Sequence, residues 1–245
     1  MVEHCPIIVA ANRDEHYDRP STPPALWDTD PRILAGRDLR AGGTWLGVNE
    51  YGLLVGILNR RSGREPDPLI PTRSRGLLCR DLLNHESAAA AAEFVRMEKD
   101  PYQPFTLLFA DPGTAWIAYN LLGEIKTLRL NAGLHVYSNG SEFDVRSQKV
   151  DRAYARFAQV VEGLPPNGDD KSAWVSSLRS VLGDHTSGNG SSDPRDAICV
   201  HGDISGTVSS SIIFYSQSEH RFYTFTSPGP PCQTVFGEAL ALNVR

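Results

Sequence analysis

Pro6-Ile7-Ile8-Val9-Ala10-Ala11-Asn12-Arg13-Asp14-Glu15 is the stretch from which the fold is read. Its apolar half is rich in β-branched residues and too short for a typical helix, so it reads as a buried strand. The strand ends in an amide, a guanidinium and two carboxylates, delivered together to one sheet edge. Charges placed this way shift one another's pKa and can hold a carbonyl or carboxylate by bidentate contact. The plainer alternative is that Arg13 pairs with Asp14 or Glu15 and closes a turn.

Downstream, Arg19-Pro20-Ser21-Thr22-Pro23-Pro24 reads as an extended loop, because proline removes a backbone donor and restricts its predecessor. Gly42-Gly43 marks a tight turn feeding a strand through Val48, whose hairpin partner is expected over Gly52 to Asn59. Glycines 47, 52 and 56 suggest close approach of another backbone or a ligand. Asn59-Arg60-Arg61 repeats the Asn-Arg pair of Asn12-Arg13. The echo means either that two strands open onto one site or that both simply end in polar loops.

A proline-rich loop (Pro66, Pro68, Pro71) precedes a helix over Leu77 to Leu83, and Ser87 caps a second through Val95. Three antiparallel strands follow, Phe105 to Ala110, Thr114 to Asn120 and Glu124 to Leu130, with turns at Asp111-Pro112-Gly113 and Gly123. Gly133 to Tyr137 reads as a further short strand ending at Ser138-Asn139-Gly140, which turns Asn139 toward a pocket. Ser147 to Leu164 is an amphipathic helix, and Asp170 caps another that stops at Gly183. Ala197 to Val200 reads as a short buried strand, and a last hairpin spans Ser209 to Phe225. The class is α+β with mainly antiparallel strands, in one domain over residues 1–245.

Composition excludes several functions. A chain of 245 residues with 40% hydrophobic and 22% charged residues is an ordinary globular protein. A net charge of -5 without a basic patch argues against nucleic-acid binding. No stretch approaches the ~20 apolar residues of a membrane helix. The scattered Cys5, Cys79, Cys199 and Cys232 contain no CxxC and read as reduced thiols of a cytoplasmic protein rather than a disulfide framework or zinc site. No metal is expected, since HExxH is absent and no histidine pair has ligand spacing near a carboxylate. GxSxG and GxGxxG are absent as well. His16, beside Glu15, and His201 are weak candidates for a catalytic base.

Six ordered motifs, Ala11-Asn12-Arg13-Asp14-Glu15 with Arg19-Pro20, Gly36-Arg37-Asp38, Gly42-Gly43-Thr44-Trp45-Leu46-Gly47, Asn59-Arg60-Arg61, Ser74-Arg75-Gly76 and Ser138-Asn139-Gly140, closely resemble the NRDE family, that of the transport and Golgi organisation 2 protein. The resemblance runs to about Lys149 and is traceable through Gly206-Thr207 and Ser209-Ser210-Ser211. It implies an N-terminal-nucleophile (Ntn) hydrolase-like four-layer αββα sandwich with two stacked antiparallel sheets. It also implies cleavage of a linear amide (C–N) bond by an N-terminal cysteine. By motif, Arg13 and Asp14 are similar to the pair beside that nucleophile and Asn139 to the oxyanion donor, with Asn12, Glu15, Gly43, Thr44, Trp45 and Asn59 around the substrate. The alternative that the family carries is a non-catalytic small-ligand protein in haem mobilisation or secretory-pathway organisation. His135 and Cys79 are candidates for axial haem ligands by element type alone.

Two departures stand out. Family members begin Met-Cys one strand upstream, and this chain begins inside the second strand, so the first strand of the pattern is expected ahead of Met1. Cys5 cannot substitute, because eight residues of strand at ~3.3 Å each put it about 26 Å from Arg13. The second departure is Val208, where the family commonly carries Arg.

Overall fold

The computed structural model describes residues 4–60, 72–121, 124–140, 147–163, 170–187 and 191–245. Arg61, the prolines at 66, 68 and 71, Gly123 and Leu164 lie outside them. The chain forms two compact units: Met1–Arg19, Gly133–Tyr137 and Arg146–Ala241 in the first, Pro20–Ala132, Ser138–Val145 and Leu242–Arg245 in the second.

In the first unit, β1 (Ile7–His16) pairs antiparallel with β9 (Ser205–Ser216), and β9 with β10 (Arg221–Ser227), in a sheet of order β1-β9-β10-β11 with β11 at Leu240–Asn243. β1 does not stop at the apolar run. It carries Asn12 to Glu15 inside the ladder, and among the described residues its outer edge has no neighbour. Helices α3 (Gln148–Gly163) and α4 (Lys171–Leu182) belong to this unit. Trp174, Leu178 and Leu182 of α4 pack on Ile212 and Phe214 of β9, with Ile8 and Ala10 beside them. Asp170 starts α4 by accepting from Ala173 N at 2.9 Å, as the cap residue should.

The second unit holds a seven-stranded sheet, β2 (Ser21–Trp27), β3 (Ile33–Asp38), β4 (Leu46–Asn49), β5 (Leu54–Asn59), β6 (Phe105–Ala110), β7 (Ala115–Leu121) and β8 (Glu124–Leu130), in sequence order and antiparallel throughout. Helices α1 (Arg75–Leu82) and α2 (Ala88–Met97) bury Leu78, Cys79, Leu82, Ala91 and Val95 in one cluster with Val55, Phe105, Leu107 and Phe109. Ser87 caps α2 through Ala90 N at 3.1 Å.

Three sequence expectations are corrected. Ser21 to Trp27 is a strand, prolines included: β2 is the sheet's edge, and its register shifts between Thr22 and Ala25, where Pro23-Pro24 sits. An edge strand need not donate on its open side, so proline is tolerated there. Gly133 to Tyr137 is not a strand: Val136 packs beside Ala153, Val181 and Ile198, and no ladder forms. Ala197 to Val200 is buried but also not a strand, because its backbone bonds to α4's end and to Thr207 instead.

Candidate functional site

The polar end of β1 is organised by a bulge. Asn12 lies opposite Ser210 and Arg13 opposite Ser209, but Asp14 lies opposite Thr207, so Val208 is the extra residue. A strand alternates faces with period two, which puts Asn12 and Asp14 on one face and Arg13 and Glu15 on the other. Ser210 and Thr207 are three apart and would normally face opposite ways. The bulge absorbs the odd residue and brings both onto the Asn12–Asp14 face. Both cross-strand pairs then form: the Ser210 hydroxyl donates to Asn12 Oδ1 and the Thr207 hydroxyl to Asp14 Oδ1, each at 2.6 Å.

Asn12 does more than pair with Ser210. Its amide nitrogen donates to the carbonyls of Leu182 (2.9 Å) and Ile198 (3.0 Å), tying the last turn of α4 and the 197–200 segment to the sheet. Thr207 is a second junction. Its hydroxyl accepts from Val200 N at 2.9 Å while donating to Asp14, and its own N–H donates to the Val200 carbonyl. Glu15 accepts from His16 N at 2.9 Å and approaches Arg19 Nε at 3.6 Å. Arg13 is half-buried at the bulge, opposite Ser209.

Gly43, Thr44, Trp45, Asn59 and Asn139, singled out by motif, lie in the second unit. A Cβ at Gly43 would collide with the Gly76 carbonyl group and come 2.6 Å from Leu77 N. Thr44 N donates to the Gly76 carbonyl at 3.0 Å. The Gly-Gly-Thr-Trp and Ser-Arg-Gly motifs are thus two halves of one backbone contact at the start of α1. Trp45 lies over Gly36, where a Cβ would sit 2.5 Å from the indole ring. Thr44 is buried and donates its hydroxyl to the Leu46 carbonyl at 3.3 Å. Asn59 is exposed at the end of β5, and Asn139 is half-buried at a bend. Gly47, Gly52 and Gly56 meet protein groups: the Ala35 side chain, Val244 and Leu46 respectively.

Of the two haem-ligand candidates, Cys79 is fully buried, donates toward the Val55 carbonyl at 3.9 Å, and has its thiol pKa pushed up by burial. His135 is exposed and stacks on Tyr137 with ring centroids 6.3 Å apart.

Sequence reasoning missed Thr207 and Ser210, whose roles depend on the bulge register. It also set aside His201, which the fold brings beside His185, Cys199 and Cys232. No spacing rule signals that group, since its members come from three separate segments.

The architecture is that of the Ntn hydrolases. Penicillin V acylase from Agrobacterium tumefaciens matches with a TM-score of 0.60 over 91% of this chain and 80% of its own, at 16% identity. A variant of conjugated bile acid hydrolase from Clostridium perfringens matches with a TM-score of 0.54 over 96% and 88%, at 12% identity. Likeness at such identities shows the fold alone. A family model described as Transport and Golgi organisation 2 matches residues 2–227, and the chain belongs to that family. The Transport and Golgi organization 2 homolog of Mus musculus is 34% identical over 142 residues, 54% of this chain and 50% of the relative. The Homo sapiens homolog is 34% identical over 141 residues with the same shares. The chain spans about half the length of the curated relatives it matches.

Proposed function

We propose that this domain belongs to an amide hydrolase, cleaving a linear C–N bond with a cysteine nucleophile carried on a strand that pairs with the outer edge of β1. The observation that carries this reading is the bulge at Arg13/Asp14 on a strand whose outer edge is open among the described residues. Bulges re-aim side chains beside active sites. The Asp14 carboxylate, held by the Thr207 hydroxyl, suits orientation of an α-ammonium, and the Arg13 guanidinium suits a carboxylate or developing oxyanion. In the reaction, the thiolate attacks the amide carbonyl, and the amine leaves with a proton from the α-ammonium. Water then releases the acid from the thioester. Asn139 is the proposed oxyanion donor, by its motif. The fold neighbours are by description an acylase and a bile acid hydrolase, which makes N-acyl amides the first substrates to try.

The test starts with the N-terminal sequence and intact mass of the protein from its native host. An N-terminal cysteine roughly 15 residues before Arg13, one strand and a turn away, is expected. N-acyl amide turnover should then fall about 100-fold or more in Arg13→Ala. A native chain beginning at Met1, or an N-terminal cysteine that neither reacts with thiol reagents nor supports turnover, overturns the hydrolase reading.

A second reading is a non-catalytic carrier of a small ligand in the cytoplasm, with haem as one candidate ligand that the motif resemblance implies. One observation among the described residues supports it: Cys5 lies beyond Ile7, at the far end of β1 from Arg13, and the residues paired with Arg13 and Asp14 are Ser209 and Thr207. A haemin titration with no spectral change would remove the haem version. The described helices include none long and apolar enough to cross a membrane.

A further inference from the structure

Behind the Asn12–Thr207 junction, four ligand-type side chains converge from three segments of the first unit. Cys199 Sγ lies 3.6 Å from Cys232 Sγ and 3.6 Å from His201 Nε2, and His201 Nε2 lies 3.2 Å from Cys232 Sγ. His185 completes the group: one ligand atom from each of His185, His201 and Cys232 falls within 4.8 Å of the others. The two imidazoles meet edge to face, with centroids 5.9 Å apart. Zinc bonds of ~2.3 Å to sulfur and ~2.0–2.1 Å to nitrogen imply tetrahedral edges of ~3.8 Å between two sulfurs and ~3.5 Å between sulfur and nitrogen. The Cys199–Cys232–His201 triangle already matches one such face to within a few tenths of an ångström.

We propose that Cys199, His201, Cys232 and His185 bind a single Zn²⁺ ion that staples three loops of the first unit together.

The segments are held for it independently. Gly183 ends α4 with its Cα against the Cys232 backbone, where a Cβ would stand 3.3 Å from Cys232 N. Arg179 Nε donates to the Pro231 carbonyl at 2.9 Å, bringing the Cys232 turn onto α4. Asp184 orients two ligands at once. Its carbonyl accepts from Cys199 N at 2.8 Å, and its carboxylate accepts from Thr186 N at 2.9 Å, fixing the loop around His185. His201 forms a lone antiparallel bridge with Gly206, and Val200 before it is bonded to Thr207. Cys199 is buried, Cys232 is half-buried, and both histidines are exposed, so an ion can enter from solvent and finish against a dry sulfur. Two thiolates with two imidazoles make a donor set that prefers Zn²⁺ over the hard cations, and four protein ligands make a closed, structural site. Burial pushes the Cys199 thiol up to about 12, so metal uptake must displace its proton.

The test is a Co²⁺ and Zn²⁺ titration of the full chain under a phosphine reductant, with His220→Asn as an exposed control. One Co²⁺ per chain is expected, with the strong visible bands of a tetrahedral ion and a near-ultraviolet thiolate charge-transfer band, all bleached by Zn²⁺. Cys232→Ser and His201→Ala should each weaken Zn²⁺ binding by more than about 100-fold, beyond what outer-shell changes cost. His185→Ala should weaken it at least ~10-fold, and Zn²⁺ should raise the melting temperature of the parent and the control only. Because His185 and His201 are exposed, their variants report even if a cysteine variant fails to fold. A Co²⁺ spectrum without thiolate charge transfer overturns the proposal, as does equal Zn²⁺ affinity in parent and histidine variants. So does a native Cys199–Cys232 disulfide whose reduction creates no metal site.

Discussion

Asn12-Arg13 and Asn59-Arg60 are the same dipeptide on two strands, and the fold uses them in opposite ways. In the first unit the asparagine is the working residue. Asn12 sits inside the ladder, and its one amide bridges β9, α4 and the 197–200 segment. In the second unit the arginine is buried instead. Asn59 is exposed at the end of β5, while Arg60 is 8% exposed, donates to the Asn120 carbonyl at 3.1 Å and lies near the Tyr119 ring. The echo in sequence is therefore not a repeat in structural role. What separates the two is ladder position: Asn12 has four more residues of strand after it, whereas Asn59 closes its strand.

The sharpest way to break this comparison is Asn12→Ala, which strands two carbonyls and a hydroxyl in a half-buried junction. It should cost about 3 kcal/mol in denaturant unfolding, from the ~1–3 kcal/mol attached to each unsatisfied buried group. A loss below ~1 kcal/mol would mean that water replaces the amide and that Asn12 is no keystone.

Next in size is Gly43→Ala, which drives a methyl group into the Gly76 carbonyl and should cost about 2 kcal/mol. Gly42→Ala is its control, having open space around the new Cβ but a backbone φ of +74°. A larger loss at Gly42 than at Gly43 would show that backbone conformation, not crowding, selects the glycine pair.

A buried carboxylate gives a third effect, read through pH. Glu50 accepts from Arg32 N at 2.7 Å, which lowers its pKa against the opposing effect of burial, with help from Arg32 Nε (2.8 Å) and Arg245 (2.7 Å). Its folded pKa lies below the ordinary 4.5, so the unfolded chain binds the proton more readily. The stabilisation is therefore complete above about pH 4.5 and is lost as pH falls through the folded value. Glu50→Gln should lower the melting temperature at pH 7 and shrink the difference between pH 7 and pH 3. An unchanged acid limb would refute this.

The smallest effect closes the comparison: Asn59→Ala should change stability by no more than about 0.5 kcal/mol. A loss equal to that of Asn12→Ala would erase the distinction between the two dipeptides.

Much of the fold was legible because it is local. Ser87 and Asp170 cap the helices they precede, and the Asp111-Pro112-Gly113 turn joins β6 to β7. Where local reading failed, a neighbour had overridden propensity. Pro23-Pro24 is in a strand because β2 has an open side, and Val136, outside any ladder, packs instead against Ala153, Val181 and Ile198. The candidate site was legible by motif at Asn12, Arg13 and Asp14, but its second half, Ser210 and Thr207, depends on one extra residue in β9.

The sequence by itself determined the α+β class, the four helices and the β6-β7-β8 and β9-β10 hairpins, the family and the strand that carries Asn12 to Glu15, because period, caps and glycine turns act over a few residues. Only the tertiary structure decided that Thr207 faces Asp14, that Gly43 and Gly76 are one contact, and that Cys199, His201, Cys232 and His185 converge. Those pairings join residues up to 193 positions apart, and their geometry is set by register and packing, which no local pattern encodes.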